Sequence, residues 1–405
     1  MSVRRTPSWV SDVPRIQTRL PDPEEYLRFL QIHCKPSPQS SVQMTTYDIP
    51  KTARAAVIKQ FKQDVVLENS YPVPSPADLK PGECLVKISY AGVCHSDLHV
   101  KDNDWGFPSP LPLVGGHEGI GTVVAIGEHT VDSPVKLGDR VGLKWVARSC
   151  LKCCPMTVTH ANGCSVNGTW ADYVVGWTDY VQPIPESLDS AAATPILCAG
   201  ITVYKAIKQS NANIGDWIAI SGAGGGLGHL AVQYAVAMGL RVIAIDTGES
   251  KRKLCIDQLG AEKWVDFMES KDVVKDVTEA AGGLGPHAAV IAVGNAIPFN
   301  EALLYLRAAG TLVACLNIVG SSTGNRQEMT EALDIVAQGK VKCHFEVREW
   351  DEVNRHVRRK DHRKSGIEIG GSQTRDLIAS DELTNRRAEI MDKTEDALGN
   401  ESDQL

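Results

Sequence analysis

The sequence predicts an α/β protein with a strand-rich first domain and a doubly wound parallel sheet in the second. Three observations carry this. Between Ala55 and Gly142, short β-branched runs (Val57-Ile58, Cys84–Ile88, Gly121–Ile126) are punctuated by glycine and proline. From about Asp216, buried-strand runs alternate with helical spacing, the pattern of βαβ units and hence of a parallel sheet. The length, 405 residues, suits two domains or three at about 100–200 residues each.

Composition narrows the functional classes. No apolar run reaches the roughly 18–20 residues of a membrane span. Lys+Arg at 42 against Asp+Glu at 49 argues against a general polyanion binder. Neither nucleic acid nor a membrane is therefore an expected partner. Eleven cysteines in a chain this long do not make a disulfide scaffold, yet Cys150, Cys153, Cys154 and Cys164 crowd together. In a reducing compartment such thiols read as metal ligands or redox groups. The N-terminal stretch shows no continuous apolar segment before a cleavage site, so the cytoplasm is the expected location. Arg4, Arg5, Arg15 and Arg19 suit a mitochondrial presequence, whereas Asp12, Asp22, Glu24, Glu25 and the prolines argue against one.

In chain order, residues 1–45 read as an unstructured appendage, broken by Pro7, Pro14, Pro21, Pro23, Pro36 and Pro38. Trp217–Ser221 and Arg241–Ile245 are buried strands. Between them Leu227, Leu230, Ala231, Tyr234, Ala235 and Met238 keep helical spacing. Ala288–Val293 and Thr311–Cys315 add two more strands. From about Asp361 the chain is charged and poor in large apolar residues, with Gly370-Gly371-Ser372. Such a segment buries too little to offset ordering entropy. Residues 361–405 are thus expected to form a mobile or weakly helical polar tail.

The strand-to-helix turn is Gly222-Ala-Gly-Gly-Gly-Leu-Gly228. Backbone N–H groups and the positive helix end can approach a pyrophosphate there. The spacing is not a strict GxGxxG. Gly222, Gly225 and Gly228 are one fit, Ala223 with Gly225 and Gly228 another, with Gly226 and Leu227 inside the turn. Asp246 ends the next strand near the spacing of about 20 residues expected for a ribose-binding acid. A carboxylate there accepts from both ribose hydroxyls and repels a 2′-phosphate, favouring NAD over NADP. Lys251 is close enough in sequence to reach the same ribose, although a solvated surface lysine remains open.

Chemically useful side chains concentrate in Cys94-His-Ser-Asp-Leu-His99, in Gly115-Gly-His-Glu118 and at Cys198. No zinc-finger spacing connects them, and for each one alone a buried histidine or an inert core cysteine remains open.

Three motifs in register decide the matter. Tyr90-Ala-Gly-Val-Cys-His-Ser-Asp-Leu-His99, Leu111-Pro-Leu-Val-Gly-Gly-His-Glu-Gly119 and Pro195-Ile-Leu-Cys-Ala-Gly-Ile-Thr-Val-Tyr204 resemble the zinc-dependent alcohol dehydrogenases of the medium-chain dehydrogenase/reductase family, yeast and fungal type. The similarity runs from about Ala55 to about Val357 and includes Ile318-Val-Gly-Ser321 and Gly324-Asn-Arg326. It implies a GroES-like catalytic domain over 46–198, a Rossmann domain over 199–321 and a return to the catalytic domain over 322–360. It implies Cys94, His117 and Cys198 as ligands of a catalytic zinc, with Glu118 as a carboxylate that exchanges onto the metal. Two thiolates and an imidazole suit zinc and leave the fourth position for water or alcohol. Zinc then acts as a Lewis acid, and the hydride goes to NAD. Ser96 and His99 resemble the family's proton relay, and Asp97 the carboxylate that orients a zinc-binding histidine. His95 matches a pyrophosphate contact, Ser321 lies in a cofactor-contacting segment, and Trp105 and Trp145 align with pocket walls that favour short primary alcohols. Homo-oligomers are also implied.

The chain departs from the family in three places. The structural-zinc lobe follows C-x2-C-x2-C-x7-C, but Met156 stands at the third position. Either Cys150, Cys153, Cys154 and Cys164 supply an irregular second zinc site, or Cys164 takes an aromatic's place in Gly163–Trp170 and part of the lobe is missing. Cys315 runs directly into Leu316–Ser321, where the family has a turn, a helix and a return. After Val357 the family's closing strand with its Gly-Arg pair has no counterpart. Two alternatives follow: a silent NAD-binding relative, and a dehydrogenase of bulkier or secondary alcohols.

Overall fold

The structure, a computed structural model, describes residues 47–105, 109–149, 160–314, 325–354 and the backbone of 364–368. The first half is built from strands β1 (Thr52–Ile58), β2 (Val66–Pro72), β3 (Glu83–Val93), β4 (Leu113–Val114), β5 (Gly119–Ile126), β6 (Arg140–Leu143), β7 (Val146–Arg148), β8 (His160–Ala161), β9 (Tyr173–Trp177) and β10 (Gln182–Pro183). β1 pairs with β2 and β4. β3 pairs antiparallel with β5 along one edge and with β9 over Glu83–Lys87 on the other. Ala55–Ile58, Val86, Ile88, Val123, Leu143 and Trp170 face a common core. β3 is the spine, and its last residue, Val93, delivers the chain into Cys94.

The second half holds a parallel sheet of β11 (Trp217–Ser221), β12 (Arg241–Asp246), β13 (Lys263–Asp266), β14 (Ala288–Ile291) and β15 (Thr311–Ala314). Their order is β13-β12-β11-β14-β15, the 3-2-1-4-5 part of a doubly wound dinucleotide fold. Its strands read as continuous apolar runs because helices cover both faces. Ile218, Ile220, Val242, Ala244 and Val290 pack toward Leu230, Ala231, Tyr234 and Leu333. The alternate residues Trp217, Ala219, Ile243, Ile245 and Ile291 pack toward Val277, Ala302 and Tyr305. The expected helix lies at Gly228–Ala237. The segment after Cys315 lies outside the described residues, as does the 1–45 appendage.

One expectation is corrected. β16 (Phe345–Arg348) is followed by β17 (Lys364–Glu368), within the segment expected to be a mobile or weakly helical tail. β17 pairs antiparallel with Tyr90–Val93 of β3 and parallel with β16, so a strand does close this sheet. The reason is the backbone: the second half of β3 has a free edge beyond β9, and a polar segment satisfies main-chain donors and acceptors as well as an apolar one. Among the described residues no single helix is long and apolar enough to cross a membrane.

Candidate active site

Three chain turns bring the cysteines and the histidine together. Cys94 is extended and caps the helix His95–Asp102, its N–H donating to Asp97 Oδ2 at 2.8 Å. His117 and Glu118 lie in the link between β4 and β5, both fully buried, and the Gly92 N–H donates to the Glu118 carbonyl at 2.6 Å. Cys198 follows the 3-10 turn Thr194–Leu197 and precedes the helix Ala199–Gln209. The donor atoms of Cys94, His117, Glu118 and Cys198 all lie within 4.8 Å of one another.

The spacing of this set fits zinc. Tetrahedral bonds of about 2.3 Å to sulfur and about 2.0 Å to nitrogen place two sulfurs about 3.8 Å apart and a sulfur and a nitrogen about 3.5 Å apart. The Sγ atoms of Cys94 and Cys198 are 3.8 Å apart, and His117 Nε2 is 3.3 Å from Cys198 Sγ. On the far side of the imidazole, His117 Nδ1 meets Asp97 Oδ1 at 2.8 Å. Burial disfavours the imidazolium, but the Asp97 carboxylate and Cys94 outweigh it and hold the proton affinity of His117 well above the ordinary histidine range. Asp97 thus fixes the ring with its Nε2 face toward the sulfurs.

An aromatic wall stands beside the donors. Trp145 meets His117 edge-on at 5.0 Å, and Trp105 meets Trp145 edge-on at 5.5 Å. His99 stacks on Trp105 at 5.3 Å and meets His95 edge-on at 4.6 Å. Ser96 Oγ is 3.8 Å from Cys94 Sγ. The structure adds Asp104, which sequence patterns do not single out: its carboxylate oxygens lie 2.8 and 2.9 Å from His99 Nδ1. An acid five residues after a candidate relay histidine, just past a helix end, is the signal that would have found it.

At the glycine-rich turn, a Cβ on Gly228 would overlap the Gly222 carbonyl oxygen, so the helix start can sit this close to the strand end only as glycine. Asp246, 3% exposed, accepts from the Gly224 N–H at 2.9 Å, the Thr247 N–H at 2.8 Å and Lys251 Nζ at 2.6 Å. Gly224, absent from the fingerprint positions, leaves room for the Lys251 stem, which a Cβ there would meet at 2.8–2.9 Å. Gly225, Gly226 and Leu227 complete the turn into the helix.

The remaining candidates are not gathered here. Cys150, Cys153, Cys154 and Ser321 lie outside the described residues. Cys164 is buried in the first-domain core, its Sγ 3.7 Å from Ser109 Oγ, and burial pushes its thiol upward. That is the environment of an apolar core position, as in the alignment that puts Cys164 in an aromatic's place.

Fold and donor set together define a class: a dehydrogenase that combines a zinc-fitting centre with a dinucleotide domain. Comparison with known proteins agrees. Residues 80–186 match the Alcohol dehydrogenase GroES-like domain and residues 226–315 the Zinc-binding dehydrogenase domain. The chain is 41% identical to Alcohol dehydrogenase 1 of Neurospora crassa over 74% of its own length and 91% of the relative's. It is 44% identical to Alcohol dehydrogenase 1 of Emericella nidulans over 68% and 85%, and 40% identical to the Geobacillus stearothermophilus alcohol dehydrogenase over 74% and 93%. Among solved structures, the Aeropyrum pernix alcohol dehydrogenase is 26% identical, with a TM-score of 0.66 over 78% of this chain and 100% of that one. An acetophenone reductase from Geotrichum candidum, solved with NAD, is also 26% identical, with a TM-score of 0.67 over 80% and 99%. The chain belongs to the zinc-dependent alcohol dehydrogenases of the medium-chain dehydrogenase/reductase family.

Proposed function

We propose that this chain catalyses the NAD-dependent interconversion of a short primary alcohol and its aldehyde. The observation that carries the reading is the gathering of Cys94, His117, Glu118 and Cys198 donor atoms within 4.8 Å, beside Trp145 and Trp105. Cys94, His117 and Cys198 would hold zinc with Glu118 as a fourth carboxylate donor at hand, and the metal would supply Lewis acidity toward an alcohol. Asp97 orients His117. The Ser96 hydroxyl and the imidazole of His99, whose side chain is 32% exposed and held by Asp104, give the alcohol proton a route to solvent. Trp105 and Trp145 restrict the pocket to short chains. The turn from Gly222 to Gly228, with His95, receives the pyrophosphate, and Asp246 with Lys251 receives the adenosine ribose. The exposed Ile297, Leu303 and Leu304 support a homo-oligomer, and the cytoplasm is its proposed location.

The test is ethanol-dependent reduction of NAD by the full chain and by Cys94→Ser, with NADH binding followed by fluorescence. Turnover lost in Cys94→Ser with NADH binding retained supports the reading. Undiminished turnover in Cys94→Ser refutes it, and NADH binding without turnover in the unsubstituted chain favours the silent relative.

A further inference from the structure

We propose that His229 is a positioning residue that locks the pyrophosphate turn to the chain segment re-entering the catalytic domain. This rests on the reading of Gly222–Gly228 as the nucleotide turn. His229 is the second residue of the helix Gly228–Ala237 and is only 3% exposed. Its imidazole bridges two backbones. Nδ1 lies 3.0 Å from the Gly225 carbonyl oxygen, within the turn, and the His344 N–H donates to Nε2 at 3.2 Å. A carbonyl can only accept and an N–H can only donate, so these partners fix the neutral tautomer with the proton on Nδ1.

One helical turn on, Gln233 grips the same segment. Its Oε1 accepts from the Lys342 N–H at 2.7 Å, and its Nε2 donates to the Lys342 carbonyl at 2.9 Å and to the His229 carbonyl at 2.9 Å. The His344 ring also meets His229 edge-on at 5.5 Å. Lys342–His344 leads straight into β16, which pairs with β17, which pairs with the β3 residues just before Cys94. The Gly225 carbonyl and the sheet that delivers the zinc ligand are therefore tied through a single side chain. The Gly225 carbonyl already accepts the His229 backbone N–H at 3.0 Å, so the imidazole takes the second lone pair of that oxygen and adds the His344 N–H, a link that an apolar side chain of the same size does not make.

The experiment uses the full chain, with hydrogen exchange, zinc content, NADH fluorescence and steady-state kinetics on wild type, His229→Phe, His229→Gln and His344→Pro. His229→Phe keeps a flat ring and loses both bonds. It is expected to speed exchange of 222–228 and 342–344 amides together without nucleotide. NADH binding should weaken about tenfold, in the range of one or two lost hydrogen bonds, with zinc content unchanged and kcat moved far less than KM for NAD. His229→Gln, which carries one donor and one acceptor, is expected to restore both readouts. His344→Pro leaves His229 in place but removes the strap N–H together with the His344 ring, and should reproduce the affinity loss if His229→Phe does not fold. Unaltered turn exchange and NADH affinity in His229→Phe, or in His344→Pro if it alone folds, would overturn the proposal. Failure of the wild type to bind NADH would instead overturn the nucleotide reading, while the exchange comparison still decides whether His229 couples the two segments.

Discussion

Asp97 Oδ1 stands 2.8 Å from His117 Nδ1, with neither side chain more than 2% exposed. The other oxygen of the same carboxylate accepts the Cys94 N–H. One buried acid therefore sets the orientation of two prospective zinc ligands that lie on different elements. Asp97→Asn keeps the size but loses the charge that supports the imidazole. We expect zinc affinity to fall by about 10–100-fold, the usual effect of removing such a partner, as measured by competition with a chelator. Wild-type affinity in Asp97→Asn would show that the ligands orient themselves.

Cofactor choice is expected to rest on Asp246. Its carboxylate is 4% exposed and paired with Lys251 Nζ at 2.6 Å. Asp246→Ala removes the ribose acceptor and frees the lysine for a 2′-phosphate. The ratio of kcat/KM for NAD to that for NADP is expected to fall at least about tenfold, the scale of a charge-assisted hydrogen bond. An unchanged ratio would place nucleotide selection elsewhere.

Lys144, next to Trp145 and 4% exposed, donates to the Tyr180 carbonyl at 3.0 Å. Burial, assisted by Arg326 and opposed by Asp179, lowers its pKa to about 8. The folded state then binds fewer protons than the unfolded chain between about pH 8 and the ordinary lysine value of about 10.4. Stability contributed by this group therefore rises with pH across that window, by up to about 1.4 kcal/mol per unit, and is flat below it. Urea titrations of wild type and Lys144→Met should show the wild type gaining relative to the variant only above about pH 8. A constant difference across pH would contradict the buried charge.

Pocket width is expected to depend on Trp105, which stacks on His99 and meets Trp145 edge-on. Trp105→Ala opens the wall away from the donor atoms. For a longer primary alcohol, kcat/KM relative to ethanol should rise about tenfold, the order of a methylene or two of discrimination. An unchanged substrate profile would make Trp105 a packing residue only.

The second domain is legible from residues alone because both of its faces are buried, so Trp217–Ser221 and Arg241–Asp246 read as unbroken apolar runs. The candidate metal site is not legible in that way. Cys94, His117 and Cys198 come from a strand end, a link and a helix start, with no short spacing to join them, and only the long motifs around them reveal the set. Asp104 escapes because it acts through one nearby partner, and His229 because it joins two main-chain groups, one of them far away in sequence; neither leaves a periodic trace. β17 escapes for the opposite reason: Lys364–Glu368 is held by the open backbone edge of β3, and backbone pairing does not depend on apolar composition.

The most direct test of the account is zinc content measured with NAD-dependent ethanol oxidation on the purified full chain, before and after chelation. The account expects about one catalytic zinc per chain, turnover that disappears with the metal and returns when zinc is restored, and NADH binding that survives chelation. Ethanol turnover that persists in fully metal-free protein would contradict it.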